Sequence, residues 1–308
     1  MRALITGISG FVGQFLEKRL LRDSNIVYGT TRSQKMSNNY IILNLLSEQD
    51  IVNLLKDIKP SHIFHLAGMS NVKQSWSHRI HAIESNTIAT ITLLEAVKKV
   101  NRNIRVITIG SSEEYGYAAT NSKPISEDSA LRPISPYGVS KAAISMLVRQ
   151  YYKADQLDVI HLRPFNHIGP GQSLGFVTSD FAYQIALINK NKQEKNQIEV
   201  GNLEAIRDFT DVRDIAEAYY KVAKHGKSGE IYNVCSGSGV KINKILDILL
   251  SFSDKQIEII TDESKMRPSE VPIMVGSNEK TQKQLQWAPK ISLKSSLYDI
   301  YQYWLANV

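Results

Sequence analysis

Two short runs carry residues able to move protons. GSSEEYG spans 110–116 and SPYGVSK spans 135–141. Tyr137 and Lys141 stand four apart, which on a helix puts them on one face. A phenol titrates near 10, too high for ready exchange at neutral pH. A neighbouring ammonium and the positive ring of an oxidised nicotinamide both favour the phenolate. Tyr137 can then give a proton to a carbonyl oxygen as hydride arrives, or take one in the reverse direction. The Ser111 hydroxyl can hold the same oxygen. Glu113 admits two readings: a base that strips a carbon-bound proton, as a dehydratase needs, or a bystander in a simple reductase.

Tyr-x-x-x-Lys is common by chance and gains weight only from the elements around it. RALIT (2–6) is a short apolar run and reads as a buried strand, and FLEKRLL (15–21) has helical spacing. IVYGT (26–30), YIILNLL (40–46), SHIFHLA (61–67), IRVITIG (104–110) and DVIHLRP (158–164) read as further strands. Helical stretches lie between them, one running from about His78 to Lys99 and one beginning near Ser135. Strands alternating with helices predict an α/β fold with a parallel, doubly wound Rossmann sheet. After Pro164 a Gly-, Pro- and Asn-rich loop (164–175) breaks the rhythm. Helices are expected over 176–190, 211–225, 242–252 and 293–307, with strands near 198–202 and 230–236. The expected division is a dinucleotide-binding domain of residues 1–163 and 207–236, and a smaller mixed α/β lobe of 164–206 and 237–308.

Between the first strand and helix lies TGISGFVG (6–13). Gly7, Gly10 and Gly13, with Phe11 and Val12 at the helix start, would let the backbone approach a pyrophosphate and offer it unpaired N–H groups. The alternative is a tight turn with no ligand. A site preferring NADH usually has a carboxylate after the second strand. Here Thr31 is followed by Arg32, which would pair with a 2′-phosphate, so NADPH is favoured over NADH unless Arg32 is only a solvated residue. Asn44 and Leu45 close the third strand, where an adenine amino group is often met; a plain strand end is the other reading.

The 308 residues are 43% hydrophobic and 22% charged, ordinary for a soluble globular protein. The formal charge of +7 is scattered, and the densest basic patch, NKNKQEK (189–195), lacks the interleaved aromatics of a single-strand binder. No nucleic-acid partner is expected; a basic excess also suits a small anionic substrate. No apolar run reaches the length needed to span a bilayer, and no signal peptide is expected. Cys235 is the single cysteine, which excludes an internal disulfide or a cysteine metal site and fits a cytoplasmic location. No metal is expected.

The runs TGISGFVG, HLAG (65–68), SNTIAT (85–90), SSEEYG (111–116), YGVSK (137–141) and RDFTDVRD (207–214) fall in the order and spacing of the extended short-chain dehydrogenase/reductases that act on nucleotide sugars. The chain resembles that family over nearly its whole length. The resemblance implies that Leu66 and Ala67 border the cofactor and that Asn86 is structural. Gly68 stands where the family more often has Ala, a difference expected to matter little. More narrowly, RPFNHIGPGQ (163–172), VGNLEAIRDFTDV (200–212) and YNVCSG (232–237) resemble reductases of GDP-4-keto-6-deoxy-mannose that make GDP-D-rhamnose. Related GDP-mannose 4,6-dehydratases share the residue types at Ser111, Ser112 and Glu113. Their loop after FNH typically reads SPRRGE where this chain has IGPGQ, which points to reduction rather than dehydration; an epimerase of the same fold is a third reading.

By the same resemblance Ser112, Glu113, Asn166, Gly201, Arg207, Arg267 and Glu270 would hold the GDP-sugar, Glu113 through sugar hydroxyls. A salt bridge to Asp211 or Asp214 is the other reading of Arg207. GDP-6-deoxytalose and a GDP-6-deoxy-heptose stay open as products. His167 is expected near the nicotinamide or as a structural residue, His65 in the core, Glu114 facing solvent, and Trp287 and Trp304 in packing roles. Helices near 78–100 and 135–154 would pair across a homodimer. A dinucleotide-binding sensor without activity is the contrasting class, and the presence of Ser111, Tyr137 and Lys141 together argues against it.

Overall fold

The computed structural model describes residues 1–32, 39–117, 123–266 and 271–308. Its strands, in chain order, are β1 (Arg2–Thr6), β2 (Ile26–Thr31), β3 (Tyr40–Ile42), β4 (His62–His65), β5 (Arg105–Ile109), β6 (Val159–Pro164), β7 (Asn166–Ile168), β8 (Gln197–Val200), β9 (Ile206–Asp211), β10 (Ile231–Val234), β11 (Gly239–Lys241), β12 (Glu258–Thr261) and β13 (Ile273–Met274). The α-helices are α1 (Phe11–Leu21), α2 (Glu48–Ile58), α3 (Val72–Ser77), α4 (Arg79–Ala82), α5 (Ala89–Val100), α6 (Pro136–Asp155), α7 (Val177–Asn189), α8 (Val212–His225), α9 (Ile242–Leu250), α10 (Glu279–Leu285) and α11 (Leu293–Asn307).

β1 is buried after its first residue and β6 along its whole length, as strands covered on both faces must be. The large sheet has the order β10-β6-β5-β4-β1-β2-β3, every pair parallel. The chain therefore starts in the middle and winds outward in both directions. The order reverses between β1 and β4, which opens a crevice at the carboxyl ends of the strands. This is the doubly wound sheet that the alternating pattern predicts. YIILNLL contributes a shorter strand than expected. Its pairing ends at Ile42 because Asn44 folds back, its side chain accepting from the Leu46 amide at 3.0 Å.

In the smaller lobe β9 pairs with β11, β13 and β7, and β8 pairs with β12. Helices α7, α9 and α11 bury Ile185, Ile188, Ile245, Leu249, Leu297 and Ile300 in a shared core. Arg207 to Asp211 thus hydrogen-bond within this lobe, and α8, which follows, packs against α1 beside the large sheet. Asp211 caps α8 by accepting from the Arg213 amide at 2.8 Å, and it also accepts from Ser296 on α11 at 2.6 Å. Trp287 is buried with its indole donating to the Asp214 carbonyl, and Trp304 packs edge-on against Tyr183.

The helix expected over 78–100 is interrupted. After α4 the chain makes a π-helical turn, Ile83–Ile88, before α5 resumes. The wider turn lets Asn86 donate to the Ser140 hydroxyl at 2.8 Å and Thr87 donate to the Ser140 carbonyl at 3.1 Å, tying this segment to α6. Gly68 lies against it with φ +145°, and a Cβ there would sit 2.3 Å from Asn86 Oδ1. Ala is therefore not an equivalent residue at this position. Gly68→Ala should lower unfolding stability by about 1–3 kcal/mol, read from urea denaturation; an unchanged midpoint contradicts this.

Candidate active site

The crevice deepens into a cleft of about 1830 Å³ between the sheet and the smaller lobe. A small-molecule site is typically ~300–1,000 Å³, so this cleft has room for a dinucleotide and a second ligand. It is lined by the glycine turn with Phe11 and Val12, by Arg32, Asn44 and Leu45, and by Leu66 and Ala67. Ser111, Ser112, Glu113, Tyr137 and Lys141 form another part of the wall, and Asn166, Gly201 and Arg207 contribute from the smaller lobe. Arg267 and Glu270 lie outside the described residues.

At one end the chain leaves β1 and turns under Gly7, whose φ is +72°. Gly7 and Ile8 donate to the Thr30 carbonyl at 3.1 and 3.3 Å, and Gly10 donates back to Gly7 at 3.0 Å. A Cβ on Gly13 would come within 2.5 Å of the Ile8 carbonyl oxygen. Helix α1 then starts with no side-chain cap and no acidic residue in its first turn. Its first N–H groups thus face the cleft with no side-chain acceptor, as a pyrophosphate requires. The residues present fit a dinucleotide. Arg32 is exposed just beyond β2, and buried Thr31 brings no negative charge.

At the other end β5 stops at Ile109, and Ser111 opens a 3₁₀ turn, Ser112–Glu114. Helix α6 begins beside it, with Ser135 as N-cap accepting from Gly138 at 3.0 Å and Pro136 in the first turn. The Tyr137 amide is held by the Ser75 hydroxyl at 3.2 Å. Ser111, Tyr137 and Lys141 meet at the cleft with exposures of 9%, 8% and 7%. The Lys141 ammonium donates to the Ile109 carbonyl at 2.8 Å and lies 5.8 Å from the centre of the Tyr137 ring. Burial lowers the Lys141 pKa to about 8, with Glu114 opposing the shift. Burial pushes the Tyr137 phenol up; a hydrogen bond with Ser111 works against this, and Glu113 and Glu114 add to it. Lys141, bonded to the Ile109 carbonyl, is not among the groups that shift the phenol here; the acidifying pair expected from the sequence is the ammonium together with a positive nicotinamide ring.

Glu113 is half-buried and faces the cleft, and its amide donates to the Ser111 hydroxyl at 3.2 Å. Glu114, expected in solvent, is fully buried. Its carboxylate accepts from the Ser111 amide at 2.9 Å, from His161 Nε2 at 3.0 Å and from Arg163 Nε at 2.7 Å. Burial alone would raise its pKa, but His161, Arg163 and the Ser111 amide hold it below the usual carboxylate value. The sequence carries a signal for this cluster: DVIHLRP places a histidine and an arginine in a fully buried strand, where a cation needs an anion beside it.

His65 is a core residue as expected, bonded to Thr6 at 2.8 Å and Thr90 at 3.1 Å, and burial takes it down to about 3. His167 borders the cleft, nearly parallel to the Phe11 ring at 6.1 Å. Arg207 donates to the Ile206 carbonyl at 2.9 Å and to the Pro272 carbonyl at 3.3 Å. Asp211 pairs with Arg213 at 2.8 Å, and Asp214 accepts from the Lys290 and Ile291 amides. Gly201 passes close to Lys265, whose carbonyl oxygen would lie 3.0 Å from an added Cβ.

Known proteins share this architecture and sequence. Residues 4–300 match the family model described as GDP-mannose 4,6 dehydratase. GDP-6-deoxy-D-mannose reductase of Pseudomonas aeruginosa is 34% identical, across 100% of this chain and 98% of the relative. GDP-6-deoxy-D-talose 4-dehydrogenase of Aggregatibacter actinomycetemcomitans is 30% identical, across 91% and 90%. The solved structure of RMD from Pseudomonas aeruginosa complexed with NADPH superimposes with a TM-score of 0.86 at 32% identity, covering 100% of both chains. A family model matched almost from end to end, joined by full-length relatives, settles the kinship: the chain belongs to the GDP-mannose 4,6 dehydratase family.

Proposed function

We propose that the protein reduces the 4-keto group of a GDP-4-keto-6-deoxy sugar, with GDP-4-keto-6-deoxy-D-mannose as substrate and GDP-D-rhamnose as product. The observation that carries this reading is the meeting of Ser111, Tyr137 and Lys141, each almost buried, at one wall of a cleft large enough for two nucleotides. The reductase relative and the IGPGQ loop favour reduction over dehydration. NADPH is favoured over NADH, supported by Arg32 after Thr31 and by the NADPH in the Pseudomonas structure.

Gly7, Gly10 and Gly13 with the start of α1 would hold the pyrophosphate of the cofactor, Arg32 its 2′-phosphate, and Asn44 and Leu45 its adenine. Leu66 and Ala67 would border the dinucleotide on the β4 side. The nicotinamide, when bound, supplies the hydride that reaches the carbonyl carbon. The Ser111 oxygen accepts from the Glu113 amide, which leaves its proton to hold the ketone oxygen. Tyr137, kept protonated by burial, gives that oxygen its proton. Lys141, with a pKa near neutrality, stabilises the phenolate left behind and returns a proton to it. Glu113 and Ser112 accept from and donate to sugar hydroxyls. Asn166, Gly201 and Arg207, with Arg267 and Glu270, hold the GDP moiety.

A homodimer goes with this reading. Ile80 and Ile88 on the α4–α5 side, and Val139 and Met146 on α6, are 76%, 42%, 47% and 62% exposed in the single chain, an apolar face that a second copy would cover. Among the described residues no helix is long and apolar enough to cross a membrane. A cytoplasmic setting, where the nucleotide cofactor is available, completes the proposal.

The decisive assay follows nicotinamide absorbance with NADPH and a GDP-4-keto-6-deoxy sugar, with NMR of the product. Oxidation of NADPH is expected, and none would defeat the reading. Tyr137→Phe should lower kcat by roughly 10²–10⁴-fold with NADPH affinity kept; near-normal turnover would remove Tyr137 as proton donor. Glu113→Gln should raise KM for the sugar nucleotide at unchanged thermal stability, by about 1.5–3 kcal/mol of lost binding, and unchanged kinetics would make it a bystander. Ile80→Asp with Met146→Glu should shift sedimentation to the monomer; a variant that still sediments as the wild type rules out this face as the interface.

A further inference from the structure

Glu114 is shut away from the cleft, yet it bonds the Ser111 amide and, through Arg163, is tied to the helix that carries Tyr137 and Lys141. Its carboxylate takes the Ser111 amide, while the Ser111 hydroxyl takes the Glu113 amide, a reciprocal cap that fixes the turn. The other carboxylate oxygen binds Arg163 Nε at 2.7 Å. The same guanidinium reaches Ser145 Oγ on α6 through Nη2 at 2.7 Å, and Tyr115 and the Glu127 carbonyl through Nη1 at 2.9 and 3.1 Å. Ser145 stands one helical turn beyond Lys141. A single ion pair thus spans from the Ser111 turn to the helix that carries Tyr137 and Lys141. The room for it is made by Gly110, where a Cβ would lie 1.9 Å from Glu114 Oε1 and 2.3 Å from His161 Nε2.

We propose that Glu114 is a positioning residue: its buried carboxylate, clasped by Ser111, His161 and Arg163, fixes the Ser111 hydroxyl opposite Tyr137 and sets the electrostatic surroundings of Lys141. The inference rests on the reductase reading for its kinetic consequences, and on the hydrogen bonds from Glu114 to the Ser111 amide and through Arg163 to Ser145 for the placing of the turn against α6. The groups that act on Lys141 through charge are Glu114 from the turn, His65 from β4 and His161 from β6, and the Tyr137 ring on α6 lies 5.8 Å from its ammonium. Burial depresses both histidines and keeps the Tyr137 phenol protonated, so none of the three replaces the carboxylate charge. Arg163 is balanced by Glu114 in the wild type and loses that partner in Glu114→Gln, where its charge adds to the same downward shift.

The test titrates the Lys141 side chain by NMR in isotope-labelled, ligand-free protein, then measures the pH dependence of kcat/KM. Because a negative neighbour favours the ammonium, its loss lowers the Lys141 pKa. In Glu114→Gln the Lys141 titration should move to lower pH than in the wild type, and the descending limb of kcat/KM should follow. The kcat should fall on the order of a hundredfold, while KM and NADPH affinity stay within a few-fold. The double variant Glu114→Leu with Arg163→Met removes the pair without stranding a charge, so a smaller downward shift and the same kcat loss are expected of it. A Lys141 titration and a kcat that match the wild type in the folded variant overturn the proposal. The NMR titration needs no substrate, so it stands or falls separately from the reductase assignment, which wild-type turnover decides.

Discussion

The structure depends on a carboxylate and a guanidinium placed where water cannot reach them. Glu114 and Arg163 pair at 2.7 Å with side-chain exposures of 0% and 2%. Charges so placed persist only when every partner is supplied, and here the supply comes from the turn after β5, from β6, from α6 and from the segment before α6. Breaking one partner of such a pair typically costs about 3–5 kcal/mol, so the arrangement of these elements has little freedom to drift. The hydroxyl, phenol and ammonium at the cleft inherit their placement from that constraint. Tyr115 extends it by donating to Asn233 on β10 at 2.7 Å, so the edge strand of the large sheet is held by the same network.

The protonation states follow from the same dryness. A buried phenol and a buried ammonium are both pushed towards neutrality. For a hydroxyl that must deliver a proton this is the useful direction, since the phenol stays loaded at neutral pH. The acidification expected from the sequence needs the ammonium and a positive nicotinamide ring together. The ammonium is engaged with the Ile109 carbonyl and lies 5.8 Å from the centre of the Tyr137 ring.

Much of this was legible in the residues themselves. The strands of the large sheet are short apolar runs, and the pattern that marks them is local. Ser111, Tyr137 and Lys141 were readable because two of them share a helical turn and the third follows a strand. Glu114 was not, because its partners His161 and Arg163 stand 47 and 49 residues away, and a glutamate between a glutamate and a tyrosine reads as exposed. The π-turn at Ile83–Ile88 escaped for a different reason: six residues at the wider period cannot be told from an α-helix by hydrophobic spacing. Gly68 looked exchangeable because its conflict with Asn86 arises only in three dimensions.

One connection between the lobes bears on how they are held together. β6 ends at Pro164 in the large sheet, and β7 begins at Asn166 in the smaller one, with Phe165 alone between them. Phe165 is buried and its amide donates to Val234 on β10. A joint one residue long, nailed down by its own backbone, cannot serve as a swivel. The β6–β7 crossing thus anchors the smaller lobe to the edge of the large sheet beneath the cleft.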